Sequence, residues 1–160
     1  VRPDGSFVHY DKRHAFALAN EHLHYAPGME RVVVEWMGWK LLLLTCYDLR
    51  FPVFSRNLKQ SPFDGIICVA NWPEVRSEAW AVLLKARAIE NQCFMIGANR
   101  LGHDGNGIAH NGRSALIDPF GSSSETLHSG WYSAQWNSIA LKEYRKKFPV
   151  LRDADDFSLV

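Results

Sequence analysis

A single mixed α/β domain is the fold class this sequence predicts, and three observations predict it. Apolar strand-like runs alternate with helix-like stretches, at least one pair of strands closes as a hairpin, and no repeat or low-complexity linker interrupts the order. The 160 residues are 47% hydrophobic and 22% charged, a length and composition that suit one globular domain with a substantial core.

The elements follow in order. The turn signal Pro3-Asp4-Gly5 introduces a strand predicted over Phe7 to Lys12. Val32 to Trp36 and Trp39 to Thr45 form two arms around a tight turn at Met37-Gly38, a hairpin pattern. The second arm is apolar without alternation, which predicts burial on both faces. Pro52 suits the first turn of a helix running to about Gln60. Gly65 to Ala70 and Cys93 to Ala98 read as buried strands on either side of the longest helix, Glu74 to Gln92, in which Ala79, Val82, Leu83, Ala86 and Ile89 form one apolar stripe. The glycine-rich stretch Gly102 to Gly112 reads as a loop. Strands at Ser114 to Ile117 and Trp131 to Trp136 flank a turn at Pro119-Phe120-Gly121, and a charged helix at about Leu141 to Lys147 precedes an irregular tail.

Charge narrows the function classes. Lys plus Arg number 18 against 17 Asp plus Glu, a net charge of +1, so nothing marks a nucleic-acid partner or an acidic tail. The run Leu41 to Leu44 is far too short to span a bilayer, so no membrane partner is read either. Val1 to Gly5 carries no apolar signal region, and the missing initiator Met predicts that the chain was cut from something longer. Cys46, Cys68 and Cys93 lie 22 and 25 residues apart, an odd and sparse set that suits a reducing, cytoplasmic compartment rather than a disulfide scaffold or a metal site.

Cys46 draws attention by position. It follows a strand and precedes Tyr47-Asp48-Leu49-Arg50-Phe51-Pro52, so it sits at a strand-to-helix junction, where a side chain is presented above the sheet end beside free backbone N–H groups. The plainer reading of any lone Cys is a small buried hydrophobe, and for Cys68 and Cys93, inside apolar strands, that reading prevails. Lys12 and Glu21 are unremarkable taken singly, and His14, His22 and His24 lack the spacing of zinc ligands. Arg87 and Glu90, one helical turn apart, read as a structural ion pair. Trp72 follows a strand carboxyl end, where open α/β folds face their ligands, and is the candidate pocket wall.

Several segments taken together carry a resemblance. Tyr10-Asp11-Lys12-Arg13-His14-Ala15-Phe16, Glu21 ahead of Pro27-Gly28, Cys46 to Pro52, Asn71-Trp72-Pro73 and Ala86 to Gln92 are similar, in this order, to the carbon–nitrogen hydrolase (nitrilase) superfamily. Asn99-Arg100, Asp104-Gly105, Pro119-Phe120-Gly121 and Tyr144 to Pro149 continue the match, which is nearest the bacterial omega-amidase branch. The resemblance implies part of an αββα nitrilase-like sandwich, with residues 1–160 as the C-terminal portion of one such domain and apolar faces left open where N-terminal strands would pack. It implies Cys46 as nucleophile, Lys12 as the lysine of a Glu-Lys-Cys triad and Glu21 as a second glutamate that orients Lys12, with no metal and no cofactor. The backbone N–H of Tyr47, next after the nucleophile, would be an oxyanion donor. Lys12 is expected to lower the Cys46 pKa, and the strand bearing Lys12 is expected to lie beside the strand ending at Cys46. The triad's first Glu has no counterpart among the eleven residues before Lys12.

The function implied is hydrolysis of a small linear carboxamide, an omega-amide of a 2-oxo dicarboxylic acid, through a Cys thioester with release of ammonia. Such a substrate needs a cationic or N–H-rich contact for its carboxylate, which the sequence does not identify. Two alternatives stand beside it: a truncated, non-catalytic homologue lacking the general base, and an acyltransferase that passes the same thioester to an amine. The superfamily commonly forms dimers, so a homodimer is expected from the resemblance alone.

Overall fold

The computed structural model describes residues 1–123, 126–128 and 131–159. Its centre is a sheet of strands β1 (Val33–Trp36), β2 (Trp39–Thr45), β3 (Gly65–Ala70), β4 (Phe94–Asn99) and β7 (Ala115–Ile117), in that spatial order. β5 (Leu101–His103) with β6 (Ala109–Asn111), and β8 (Thr126–His128) with β9 (Trp131–Ser133), form two small antiparallel pairs. The β1–β2 hairpin turns through Met37 and Gly38, both at positive φ (49° and 82°), the mirror-image turn whose twist matches paired strands.

β2, β3 and β4 run parallel, in the register Leu42–Ile66–Met95 and Leu44–Cys68–Gly97. These residues share one face, which is sealed by helix α1 (Ser77–Glu90) and by Leu49, Phe54 and Phe63. Gly97 permits the close approach: a Cβ there would press on Leu84 at 2.5 Å and Trp80 at 2.9 Å. The other face is more open. Leu43, Ile67 and Ile96 are half-buried and Val69 is 51% exposed, so β2 is less completely covered than its unbroken apolar sequence predicts.

Six other expectations are corrected. Phe7 to Lys12 is not a strand: it has no sheet neighbour, and its order comes from side-chain hydrogen bonds at Tyr10 instead. No helix follows Pro52, because buried Asn57 takes over the backbone groups a helix would use. Its carbonyl accepts from the Leu58 and Phe63 N–H groups, while its amide donates to Phe63 and Asn91 carbonyls. α1 buries Trp80, Leu84, Arg87 and Ala88; of the predicted stripe Ala79 and Leu83 pack partly buried against the core, while Val82 is 63% exposed. The face turned inward because Trp80 donates to the Arg113 carbonyl while Arg87 meets Glu90 and the Leu49 carbonyl, so two polar groups are accommodated in the core. The Gly102–Gly112 loop is largely the β5–β6 hairpin, whose turn is closed by Asp104 accepting from the Asn106 and Ile108 N–H groups. β9 stops at Ser133, and Trp136 stacks on Phe94 at 4.6 Å instead. The last helix, α2 (Ser138–Lys147), begins at an Asn137 cap that accepts from the Ala140 N–H, three residues before the predicted start.

Candidate active site

Three parallel strands end at one edge of the sheet, and two of them deliver walls of one cavity. β2 ends into Cys46 and β3 into Asn71-Trp72-Pro73, while β4 ends at Asn99, which hydrogen-bonds Trp72 from behind. The cavity is an open cleft of about 1010 Å³ lined by Lys12, Glu21, Cys46, Tyr47, Arg50, Asn71, Trp72 and Arg76 among others. Strand carboxyl ends in open α/β sheets are where backbone geometry leaves room for ligands.

Cys46 has φ of 49°, a left-handed backbone angle that costs a non-glycine residue strain. The strain is held by the turn that follows. Residues Cys46–Arg50 form a 3₁₀ turn capped by Thr45, whose side chain accepts the Asp48 N–H while the Asp48 carboxylate accepts the Thr45 N–H. Arg87, 3% exposed, clamps the same turn by donating to the Leu49 carbonyl at 2.7 Å. The first N–H groups of such a turn have no partner within it. The Asp48 N–H is satisfied by Thr45, and among the described residues the Tyr47 N–H has no acceptor.

The segment carrying Lys12 reaches this turn through Asp48, not through sheet pairing. Asp48 is fully buried, and each of its oxygens accepts two hydrogen bonds. Oδ2 accepts from the Tyr10 hydroxyl (2.7 Å) and the Thr45 N–H (3.0 Å). Oδ1 lies 2.9 Å from the His14 N–H and 2.8 Å from His14 Nδ1. The Arg13 N–H closes the arrangement by donating to the Tyr10 hydroxyl. Lys12 is therefore fixed between two anchored residues, and the expected strand beside β2 is replaced by this polar tether; β2's neighbours are β1 and β3.

Lys12 Nζ pairs directly with Glu21 Oε2, which also accepts the Phe16 N–H at 2.8 Å. Burial works against the Glu21 charge, but the Lys12 ammonium and the Phe16 N–H outweigh it and hold the carboxyl below its ordinary range. Lys12, Glu21 and Cys46 thus line one cavity despite being spread over 34 residues of sequence.

The Cys46 thiol corrects the electrostatic expectation. Burial pushes its pKa up, and the Asn71 backbone and the Lys12 charge offset that only in part. The resting group is a thiol. Burial pushes Cys68 and Cys93 far higher, and both are enclosed in the core as their strand positions predict. Trp72 lines the cavity and is also 3% exposed, wedged against Trp80, so it is core and wall at once. Asn99 fixes it by accepting the Trp72 N–H and donating to the Trp72 carbonyl. Sequence reasoning passed over Asp48, Tyr10 and His14 as site-building residues, although all three stand inside the motifs it quoted. Among the described residues no group of three or more His, Cys, Asp or Glu is arranged to hold a metal ion.

Comparison with known proteins identifies relatives of this chain. The sequence profile described as carbon-nitrogen hydrolase matches residues 1–132. The chain is 51% identical to omega-amidase YafV of Escherichia coli K12, covering 99% of this chain and 62% of that protein. It is 37% identical to a 2-oxoglutaramate amidase of Bacillus subtilis over 90% of this chain and 56% of the relative. Among solved structures, XC1258 from Xanthomonas campestris, a CN-hydrolase superfamily protein with an arsenic adduct in its active site, superposes with a TM-score of 0.93 at 46% identity. That match covers 99% of this chain and 63% of XC1258. A mutant of the amidase of Nesterenkonia sp. AN1, in which acrylamide has added to the active-site cysteine, superposes at 0.69 with 25% identity, over 88% of this chain and 56% of that one. The chain spans about 62% of the length of the first of these relatives. Profile, sequence identity and fold agree, and the chain belongs to the carbon-nitrogen hydrolase family.

Proposed function

We propose that this chain carries the nucleophile half of an amidase site acting on omega-amides of 2-oxo dicarboxylic acids. The observation that carries the reading is Cys46, held at a left-handed φ above the end of β2, with the Lys12–Glu21 pair and the unoccupied Tyr47 N–H in the same cleft. The names of the E. coli and B. subtilis relatives supply the substrate class.

The chemistry follows from the geometry. Cys46 gives its proton to a base, and Sγ attacks the amide carbon, forming an S–C bond and an oxyanion. Lys12 and the Tyr47 N–H face the developing charge; removing one such donor costs about 2.7–4 kcal/mol of transition-state stabilisation. Collapse breaks the C–N bond, the nitrogen takes up the proton, and ammonia leaves a thioester that water hydrolyses to the carboxylate and free thiol. Glu21 keeps Lys12 charged and aimed.

Glu21 is poorly placed as the base, because its Oε2 holds Lys12 and the Phe16 N–H. Of the other acids lining the cleft, Asp11 is exposed beside His9, and Asp104 accepts backbone N–H groups of its own turn. The thiol proton needs an acceptor, and on this reading a carboxylate from outside these residues supplies it. That arrangement favours a second reading for the 160 residues alone: a folded but catalytically incomplete unit, with the homodimer and any exchange of the thioester to an amine belonging to the completed protein. The unpaired state of all three cysteines supports a cytoplasmic setting, and among the described residues no helix is long and apolar enough to cross a membrane.

The test is ammonia release from 2-oxoglutaramate by the product of the complete open reading frame and, separately, by residues 1–160. Turnover by the former that is abolished by Cys46→Ala supports the reading. Turnover that survives Cys46→Ala overturns it.

A further inference from the structure

An omega-amide of a dicarboxylic acid carries a permanent negative charge at the end remote from the scissile bond, so an enzyme selective for it needs a cation placed a substrate's length from the nucleophile. The cleft offers three cationic side chains, Lys12, Arg50 and Arg76. Lys12 is neutralised by Glu21. Arg50 is exposed, with its guanidinium lying over the Trp72 ring at 4.9 Å. Arg76 is half-buried and, among the described residues, its guanidinium has neither a carboxylate partner nor a hydrogen-bond acceptor. A half-buried charge is less screened by solvent and salt than an exposed one, so its pairing with an incoming anion is worth more.

Its placement is fixed from two sides. The Arg76 carbonyl accepts from Trp72 Nε1 at 2.8 Å, and its N–H donates to the Pro73 carbonyl at 3.0 Å, so the backbone is tied to the wall that Asn99 holds. Its guanidinium stands 5.7 Å from the centre of the Phe16 ring. Phe16 donates its N–H to the Glu21 oxygen that holds Lys12, and its ring lies 4.9 Å from that of Tyr47, the residue after the nucleophile. Arg76 is therefore linked to the residue after the nucleophile through the Phe16 and Tyr47 rings, in the same cleft as Cys46. A five-carbon omega-amide spans roughly 5 Å between amide and carboxylate carbons when extended, so its carboxylate calls for a cation set back from the thiol rather than beside it.

Resting on the amidase reading above, we propose that Arg76 is the specificity-determining residue that receives the substrate's remote carboxylate. It makes the cleft selective for omega-amides of dicarboxylic acids over neutral amides of the same length. The planar guanidinium offers two parallel N–H donors to the carboxylate, a geometry that Lys reproduces in charge but not in shape.

The experiment compares kcat/KM for 2-oxoglutaramate with that for pentanamide, a neutral five-carbon amide, using the product of the complete open reading frame. Hydrogen bonds to a charged group predict a preference for the acid of roughly 10- to 150-fold in the wild type. Arg76→Gln is expected to reduce that ratio by the same factor, chiefly through KM for the acid, and Arg76→Lys to restore part of it. Thermal unfolding and iodoacetamide labelling of Cys46 establish that each variant is folded with its site intact. A wild-type preference that persists in Arg76→Gln overturns the assignment while leaving the amidase reading in place, as does a preference that disappears only in Arg50→Gln. A wild type that hydrolyses neither compound, or shows no preference between them, overturns the omega-amide reading and this inference with it.

Discussion

Asp48 offers the most direct way to test how the site is assembled, because replacing it unties Lys12 from the nucleophile turn without touching either reacting group. In Asp48→Ala the Tyr10 hydroxyl, the His14 N–H, His14 Nδ1 and the Thr45 N–H all lose their partner. Hydrogen bonds to an ionised group contribute roughly 1.5–3 kcal/mol each. Simple addition would overstate the loss, since the four share one acceptor and water can enter the space left behind. The expected destabilisation is about 3–5 kcal/mol, the range seen when one partner of a buried charged contact is removed. With ordinary urea sensitivity that moves the unfolding midpoint down by roughly 1.5–3 M. Asp48→Asn is the milder probe: it keeps one carbonyl oxygen but turns an NH₂ towards two donors, and is expected to cost about 1–3 kcal/mol. Turnover should fall further than stability, because a misplacement of Lys12 by about 1 Å can cost around 100-fold. Urea unfolding of both variants, with 2-oxoglutaramate turnover measured well below their midpoints, checks the account. A wild-type midpoint in Asp48→Ala, or full turnover in folded Asp48→Ala, refutes it.

Three further outcomes follow from the same geometry. Substoichiometric iodoacetamide should label Cys46 ahead of Cys68 and Cys93, as peptide mapping would show, and its rate should climb through alkaline pH because burial raises the thiol pKa; Lys12→Met should move that profile to higher pH. Glu21, whose folded pKa lies below its ordinary value, contributes stability that is present above the ordinary carboxylate range and is lost as pH falls through the folded value. Glu21→Gln should therefore lose stability against wild type at neutral pH and converge with it in acid, measured as unfolding midpoints across pH. Gly28→Ala should displace the backbone at Asp11, which a Cβ would strike, and so reduce turnover by moving the adjacent Lys12, with Cys46 labelling retained.

The sheet was legible because its strands obey local rules. Trp39–Thr45 and Gly65–Ala70 are apolar runs bounded by turn residues, and their limits coincide with the prediction. Elements failed where a side chain replaced backbone pairing. The Asn57 side chain satisfies backbone groups at Leu58, Phe63 and Asn91, so a stretch with helical start signals forms none, and nothing in its local sequence marks Asn57 as buried. On α1, periodicity counted Val82 and Ile89 as core and left out Trp80 and Arg87. The buried face is set instead by Gly97 opposite and by the polar partners that tolerate Arg87, which are tertiary facts.

The site divides in the same way. Cys46 was legible because a strand-to-helix junction is a local pattern, and its left-handed φ is that junction realised in the backbone. Lys12 and Glu21 carried no local signal and were legible only as members of an ordered set of motifs. The thiol pKa was misjudged because the sequence shows a cation to come but not the enclosure around the sulfur. That enclosure changes what the site must do. A thiol held above its ordinary pKa is mostly protonated at rest and inert towards passing electrophiles, while the thiolate it yields is intrinsically the stronger nucleophile, since nucleophilicity rises with basicity. The cleft therefore gains most from a base that acts only once substrate has displaced water, and Lys12, already committed to Glu21, is better suited to hold the oxyanion than to drain the proton. On the amidase reading proposed above, the proton would go to a carboxylate from outside these residues, and the strained turn, the Asp48 tether and the Lys12–Glu21 pair hold the other groups in place for it.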